Sequence, residues 1–386
     1  MTNAIFDLSN MFFRSMFIVG GYGKKQYTFD SQRELDQLMR KVATDVTSVI
    51  RSINPSRVIF ALDSKSWRKG ISIDENEGYK GNRKKSEHIN WDNVYKIMSD
   101  LAEILRTNEF IVSQINNAEA DDIMALWRDE LLYNQNQHVI LISADEDVRQ
   151  LVDSTITGPN KKSFSVVYNP FTQGKNSSKK LFTPNGFGDW LKDEDDMGDI
   201  FNRSIDVDKE DFKRILNDKV VLEEIEGPEI ALRKIFCGDD GDNIPAILTW
   251  INDNQKEVRI TPVKYQKIMD HTGIKSWKDL SKKSDIIFDQ LTEISGKNPS
   301  FKMNTRLDRQ IKLVVLDPSV FPEEIVKTFN DHLQEDYAKN HISPQSWNML
   351  SMLEGTKYVT ANSNISSGKE ASIFGQIDRI SNKELF

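Results

Sequence analysis

The stretch HVILISADEDVRQLV, residues 138–152, opens as an apolar run and then sets Asp145, Glu146 and Asp147 in a row. A short apolar run of this kind fits a strand buried on both faces. Ending such a strand on three carboxylates concentrates charge where the sheet meets solvent. Three other segments end the same way. AIFDLSN reaches Asp7, RVIFALD reaches Asp63, and EFIVSQINNAEADD reaches Glu119, Asp121 and Asp122.

Between these segments lie helical patterns. Residues 33–53 repeat Leu35, Leu38, Val42, Val46 and Val49 at three- and four-residue spacing, and residues 91–106 and 120–133 also read as helices. Strands alternating with helices predict an α/β fold with a mostly parallel central sheet flanked by helices. Ligands of such sheets bind outside the carboxyl ends of the strands. The four acidic endings are therefore expected along one rim, although about 140 residues of sequence separate the first from the last.

GDDGDN, residues 238–243, adds Asp239 and Asp242. An aspartate at a strand end is most often a helix cap or a turn residue, but the repetition points to a shared site. Two carboxylates near 4 Å repel by about 4 kcal/mol at an effective dielectric of about 20, so the rim must hold protons or cations. Hard divalent ions with oxygen ligands are the natural counter-charge, Mg²⁺ first, with Mn²⁺ able to substitute. Two such ions can activate water and stabilise a leaving oxygen in phosphodiester cleavage. The candidate ligands are Asp7, Asp63, Glu119, Asp121, Asp122, Asp145, Asp147, Asp239 and Asp242. The five histidines form no HExxH, and the lone Cys237 reads as a small buried residue.

The formal net charge of −8 argues against nonspecific coating of nucleic acid, but charge is unevenly spread. SKSWRKGISIDENEGYKGNRKKSEH, residues 64–88, carries Lys65, Arg68, Lys69, Lys80, Arg83, Lys84 and Lys85, with Trp67 and Tyr79 interleaved. It follows directly on the Asp63 strand. Lys80 and Arg83 are the candidates for placing positive charge on a scissile phosphate, and Tyr79 for stacking on a base, with Arg68, Lys84 and Lys85 as further nucleic-acid contacts.

With 386 residues and 38% hydrophobic composition, the chain is long enough for two or three domains with a sizeable core. A single cysteine and no leader-like N-terminus predict a reducing, cytoplasmic setting. Apolar runs are far shorter than the roughly 20 residues of a membrane span. SFSVVYNPFTQGKNSSKKLFTP, from residue 163, reads as a β-hairpin, and the acidic stretch after it as a solvated excursion. The region after IFCGDDGDNIP reads as mostly helical, with Pro262 opening a helix after Thr261. ANSNISSGKE reads as a linker, leaving a tail with exposed apolar residues.

Taken in order, IFDLSN, ALDSKSWR…GYKGNRKK, AEADD, SADEDVRQL and GDDGDNIP resemble the flap endonuclease or 5′ nuclease superfamily, most closely its T-even phage type ribonuclease H. The resemblance runs over roughly residues 1–330. It implies a PIN-like nuclease core over 1–235, with a basic arch or bridge over 64–90 and an insertion around 158–233. A mostly helical duplex-binding region over 236–360 and a flexible tail over 361–386 follow. It further implies a two-metal 5′-3′ exonuclease and flap endonuclease that removes RNA primers and DNA 5′ ends in phage-type replication, in an infected bacterial host if phage-encoded. Its partners would be branched or primed duplex DNA and RNA–DNA hybrid, with the chain a monomer.

By the same resemblance, Asp7, Asp63, Glu119, Asp121, Asp122 and Asp145 form or support the first metal site, Asp145 near both, while Asp147, Asp239 and Asp242 form the second. Lys80 and Arg83 fall on the basic arch positions. Where most cellular relatives carry a glycine-rich hairpin, this chain continues AILTWINDNQKEVRITPVKYQ, so the duplex-binding helix pair is expected in altered form, with Thr261 and Lys264 contacting phosphate. The terminal NKELF resembles peptides that dock on sliding clamps, which makes Phe374, Leu385 and Phe386 candidate contacts for a clamp or a single-strand-binding protein.

Other classes fit less well. A haloacid-dehalogenase-like phosphatase needs a second Asp where Ser9 stands. No GxxxxGK[ST] supports a nucleotide-driven motor, and GGYG lacks dinucleotide-loop spacing. A noncatalytic branched nucleic-acid-binding protein with the same fold has no reason to keep so many repelling acids.

Overall fold

A computed structural model describes residues 2–20, 27–72, 78–83, 85–156, 162–171, 178–192, 207–217, 219–251, 254, 256–280, 300–303, 307–338, 349–353, 356 and 358. The first strand, β1 (Thr2–Asp7), runs straight into α1 (Leu8–Gly20). α2 (Gln32–Ile53) begins where Ser31 Oγ accepts the Glu34 N–H at 3.3 Å and Glu34 accepts the Phe29 N–H at 2.9 Å. It stops at Asn54, which takes the left-handed conformation and returns its N–H to the Ile50 carbonyl at 2.7 Å. The predicted stripe of Leu38, Val42, Val46 and Val49 is its buried face.

β2 (Arg57–Ala61), α3 (Trp91–Thr107), β3 (Ile111–Ser113), α4 (Ala120–Asp129) and β4 (His138–Ile142) repeat the alternation. A 3₁₀ turn over Asp147–Leu151 leads to β5 (Asp153–Ile156), then β6 (Lys162–Asn169) and β7 (Lys180–Pro184). α5 (Phe187–Lys192), α6 (Val207–Leu216), β8 (Val221–Ile225) and α7 (Gly227–Cys237) follow.

The sheet has eight strands in the order β3-β2-β1-β4-β6-β7-β8, with β5 paired to β6 off this path. Strands β3, β2, β1, β4 and β6 are parallel, and β7 turns antiparallel to β6 as the predicted hairpin. Asp7 pairs with Ala61, Ala61 with Ser113, and Phe6 with Ile142, so all four acidic endings leave the same edge. Ala4, Phe6, Phe60 and Ile142 face one core, against α1, α2 and α3. Ile5, Ile59, Ala61 and Leu141 face the other, against α4 and the helix Glu323–Ala338. Both faces being covered explains why the strands read as unbroken apolar runs. Most of the acidic excursion, over 193–206, lies outside the described residues.

The C-terminal region adds a small antiparallel sheet to its helices. β9 (Leu248–Ile251) pairs antiparallel with β10 (Glu257–Arg259) and with β11 (Ser300–Met303). LTWI and EVR supply β-branched and aromatic residues on either side of a polar connection, which favours strand pairing over helix. α8 (Pro262–Thr272) does begin at Pro262, and the Thr261 carbonyl accepts the Tyr265 N–H at 2.9 Å. α7 and α8 share a third core built on Leu232, Ile235, Phe236, Tyr265 and Ile268. No described helix is long and apolar enough to cross a membrane.

Candidate metal centre

Each strand ending delivers its acid through a local hydrogen bond. At the end of β1, Asp7 accepts the Asn10 N–H and the Ser143 hydroxyl, both at 2.9 Å. Beyond β2, the Asp63 N–H donates to Ser9 Oγ at 2.9 Å while Asp63 Oδ1 caps α4 by accepting the Ala120 N–H at 2.7 Å. The Glu119 N–H donates to Asp122 Oδ2 at 3.1 Å, which fixes both acids at the start of α4.

Past β4 the chain does not stay extended. Glu146 is already helical (φ −68°, ψ −28°), and the Asp147 N–H closes onto Asp145 Oδ1 at 2.9 Å to start the 3₁₀ turn. Asp145 and Asp147 meet by turning, while exposed Glu146 pairs with Arg149 at 3.2 Å.

Two compact carboxylate triples result. Glu119, Asp121 and Asp122 form one, and Asp147, Asp239 and Asp242 the other, each with ligand-type oxygens within 4.8 Å of one another. Asp7, Asp63 and Asp145 join the triples along the rim. Asp63 feels the charge of Glu119, Asp7 that of Asp63 and Asp145, and Asp147 that of Asp145.

The second triple depends on loop geometry. Gly238 sits at φ 75°, where a Cβ would lie 2.5 Å from the Ala246 nitrogen, so only glycine fits. Asp239 and Ile244 then exchange backbone hydrogen bonds at 2.8 Å each, closing GDDGDN into a tight loop. At the other end of α7, a Cβ on Gly227 would strike the Val152 carbonyl oxygen and lie 2.8 Å from that of Gln150. This close approach docks α7 on the Asp147–Leu151 turn and brings Asp147 to Asp239.

Charge repulsion and burial leave their mark on these acids. Burial first, then the Asp63 and Asp145 carboxylates, push Asp7 up to about 8. Burial also raises Asp63, with Glu119 adding to it, and raises Asp121 strongly, with Asp122 and Glu119 adding. Asp147 is raised to about 6 by burial against the pull of Lys234. Burial would raise Glu119 too, but Lys80 and Arg68 outweigh it and hold its carboxyl below the usual range. Lys234 does the same for Asp239.

Segment 78–83 lies against the GDDGDN loop. Lys80, left-handed at φ 57°, donates its N–H to the Asp242 carbonyl at 2.9 Å. Asn82 reaches the Asp240 carbonyl at 2.8 Å, and Asn243 the Gly78 carbonyl at 3.1 Å. The Lys80 ammonium is 2.6 Å from Glu119 and 3.8 Å from Asp242, and Arg83 pairs with Asp242. Lys80 and Arg83 are thus at the acidic rim.

Two residues placed at the nucleic-acid interface from sequence are instead internal. Arg68 is 1% exposed, with its guanidinium 2.8 Å from Asp122 and 3.3 Å from Glu119 and stacked 4.7 Å from the Trp67 ring. Burying a strong cation requires such partners, and they take its donors from any phosphate. Tyr79 is 5% exposed and cannot stack on a base. Its hydroxyl stands 3.2 Å from both Glu119 and Asp242, bridging the two triples. Asp122 is fully buried, its oxygens directed to Arg68, Trp67 and the Glu119 N–H, so it supports the first triple more than it faces outward.

Exposed Lys85 stands over the rings of Tyr95 and Trp91 at 4.7 and 5.5 Å. Thr261 and Lys264 are at the start of α8. Lys84, Phe374, Leu385 and Phe386 lie outside the described residues. Sequence reading missed Lys234, whose ammonium pairs with Asp147 and lies 2.5 Å from Asp239. A lysine in the last turn of the helix leading into GDDGDN was the available signal. It also missed Ser66, which donates to Glu119 at 2.8 Å, and Ser143.

The donor set suits a hard divalent cation, because each triple offers only carboxylate oxygens.

Residues 2–176 match the family described as 5′-3′ exonuclease, N-terminal resolvase-like domain. Among solved structures, the D15 protein of bacteriophage T5 co-crystallised with metal ions shares the fold, at 16% identity and a TM-score of 0.51, with 87% of this chain and 99% of that chain covered. The D15 flap endonuclease of the same phage in a pseudo-enzyme–product complex with DNA and metal ions matches at 17% identity and a TM-score of 0.45, covering 88% and 100%. No curated protein matches the sequence significantly.

Proposed function

We propose that the chain is a divalent-metal-dependent, structure-specific 5′ nuclease that cleaves RNA primers and DNA 5′ ends or flaps. The observation that carries this reading is the pair of carboxylate triples on one sheet edge, joined by Tyr79 and faced by Lys80 and Arg83. The matched exonuclease domain supports it.

Mg²⁺ ions, when bound, would supply an activated water and stabilise the leaving 3′ oxygen. Glu119 and Asp121, supported by Asp122, Asp7, Asp63 and Asp145, would hold one ion, and Asp147, Asp239 and Asp242 the other. With cations held on those carboxylates, the Lys80 and Arg83 side chains would be free of Glu119 and Asp242 and would neutralise the phosphate. Arg68 and Tyr79 hold the acids in place from beneath. Lys85, on its aromatic platform, is suited to the nucleic-acid backbone.

The test is product-length analysis on 5′-labelled flap, nicked and RNA-primed duplexes, with Mg²⁺ and with chelator. The reading predicts short 5′-phosphorylated products only with Mg²⁺. Binding of branched duplex without any cleavage would favour a noncatalytic binding protein instead.

A further inference from the structure

Lys234 is a half-buried cation on Asp147 and Asp239 of the second triple, whereas the first has Arg68 fixed within it. Arg68 is pinned on several sides, by Asp122, Glu119, the Trp67 ring and the Lys312 carbonyl at 3.2 Å. It cannot leave without unpacking the core. Lys234 is held only at its tip, by Asp147 and Asp239. Its side chain is 13% exposed, and four rotatable bonds carry its ammonium. Its backbone is fixed by the close glycine contacts at both ends of α7.

The ammonium therefore has a compact set of carboxylate oxygens around it and a route out that needs no movement of the helix. We propose that Lys234 is the displaceable counter-ion of Asp147 and Asp239, and that it sets how tightly Asp147, Asp239 and Asp242 take a divalent cation. Resting on the two-metal reading above, it makes the second triple the weaker site in the free protein. A cation entering there expels the ammonium, which then needs a new anion. A substrate phosphodiester is the anion that the proposed reaction brings to this rim. Bound nucleic acid and the second cation therefore strengthen each other's binding by the same factor. Lys234 acts as a positioning residue for cation loading and substrate together.

The experiment is calorimetric titration of the full-length protein with MgCl₂ and, separately, MnCl₂, comparing wild type, Lys234→Met and Lys234→Arg. Melting temperatures in EDTA and in saturating Mg²⁺ accompany it. Lys234→Met is expected to bind the weaker cation at least tenfold more tightly, while Lys234→Arg stays within about threefold of wild type. Lys234→Met should melt lower than wild type in EDTA and recover in Mg²⁺. If it does not fold in EDTA, back-titration of the Mg²⁺-loaded variant with chelator gives the same constants. An uncleavable phosphorothioate flap duplex should tighten the weaker site in wild type and much less in Lys234→Met.

An unchanged or weakened second constant in a folded Lys234→Met overturns this proposal alone, provided wild type binds two cations and cleaves. If wild type binds no divalent cation, the two-metal reading falls with it.

Discussion

The ammonium of Lys80 stands 2.6 Å from Glu119 Oε1 and 3.8 Å from Asp242 Oδ2, so a single side chain touches both carboxylate triples. Burial opposes its charge, but Glu119 and Asp242 outweigh burial and keep it a cation well beyond neutral pH. Its carboxylate partners are the ones that cations would claim. Lys80→Ala should lower the single-turnover cleavage rate by about 100-fold, the scale of losing one preorganised charge at a developing oxyanion. Measuring that rate at saturating Mg²⁺ and duplex separates the chemical step from binding. An unaltered rate removes Lys80 from the reaction.

Stability should depend on pH in a direction that cations reverse. Asp7 and Asp147 are raised to about 8 and about 6, so without metal the folded state binds more protons than the unfolded chain. Their contribution is fully present near pH 4 and is lost as pH rises through 6 and then 8. In EDTA the melting temperature should fall between pH 5.5 and 8.5, and saturating Mg²⁺ should abolish most of that fall. Calorimetry at pH 7 in buffers of different ionisation heat should show proton release as Mg²⁺ enters.

Arg68→Ala leaves Asp122 buried beside Glu119 without its cation. Removing one partner of a buried pair costs about 3–5 kcal/mol, and urea denaturation should report a loss in that range. A loss under about 1 kcal/mol with weakened duplex binding would return Arg68 to the nucleic-acid interface.

Gly238→Ala places a Cβ 2.5 Å from the Ala246 nitrogen at φ 75°. The expected cost is about 1–3 kcal/mol, from backbone strain at a conformation that the surrounding loop imposes. Because the same loop carries Asp239 and Asp242, the variant should also bind one cation fewer in calorimetric titration. Full stoichiometry would show that the loop does not set the second triple.

The sheet was legible because strands buried on both faces leave unbroken apolar runs, and the acids at their ends mark which edge they share. The stripe on α2 was readable for the same reason, as burial on one helix face repeats every three to four residues. Arg68 and Tyr79 were misread because a basic, aromatic stretch looks the same whether it meets phosphate or folds back onto carboxylates. What decides is the distance to Asp122, Glu119 and Asp242, which lie 40 to 163 residues away in sequence. Lys234 was passed over because a lysine in the last turn of a helix already has a local explanation in the helix dipole. β9 and β10 escaped because the helix reading rested on α8 and was carried back over LTWI.

The central claim is that the acids on this rim hold divalent cations that cut a phosphodiester. Asp145 tests it most directly, since its charge reaches both Asp7 and Asp147 while its side chain is exposed and its loss leaves the core intact. Wild type and Asp145→Asn, matched for melting temperature, are incubated with a 5′-labelled flap duplex in Mg²⁺ and in EDTA. The account predicts Mg²⁺-dependent release of short 5′ fragments by wild type and at least a 100-fold slower rate in the variant, on the scale of losing one electrostatic contributor at a reacting centre. Equal cleavage by both proteins, or cleavage that persists in EDTA, contradicts it.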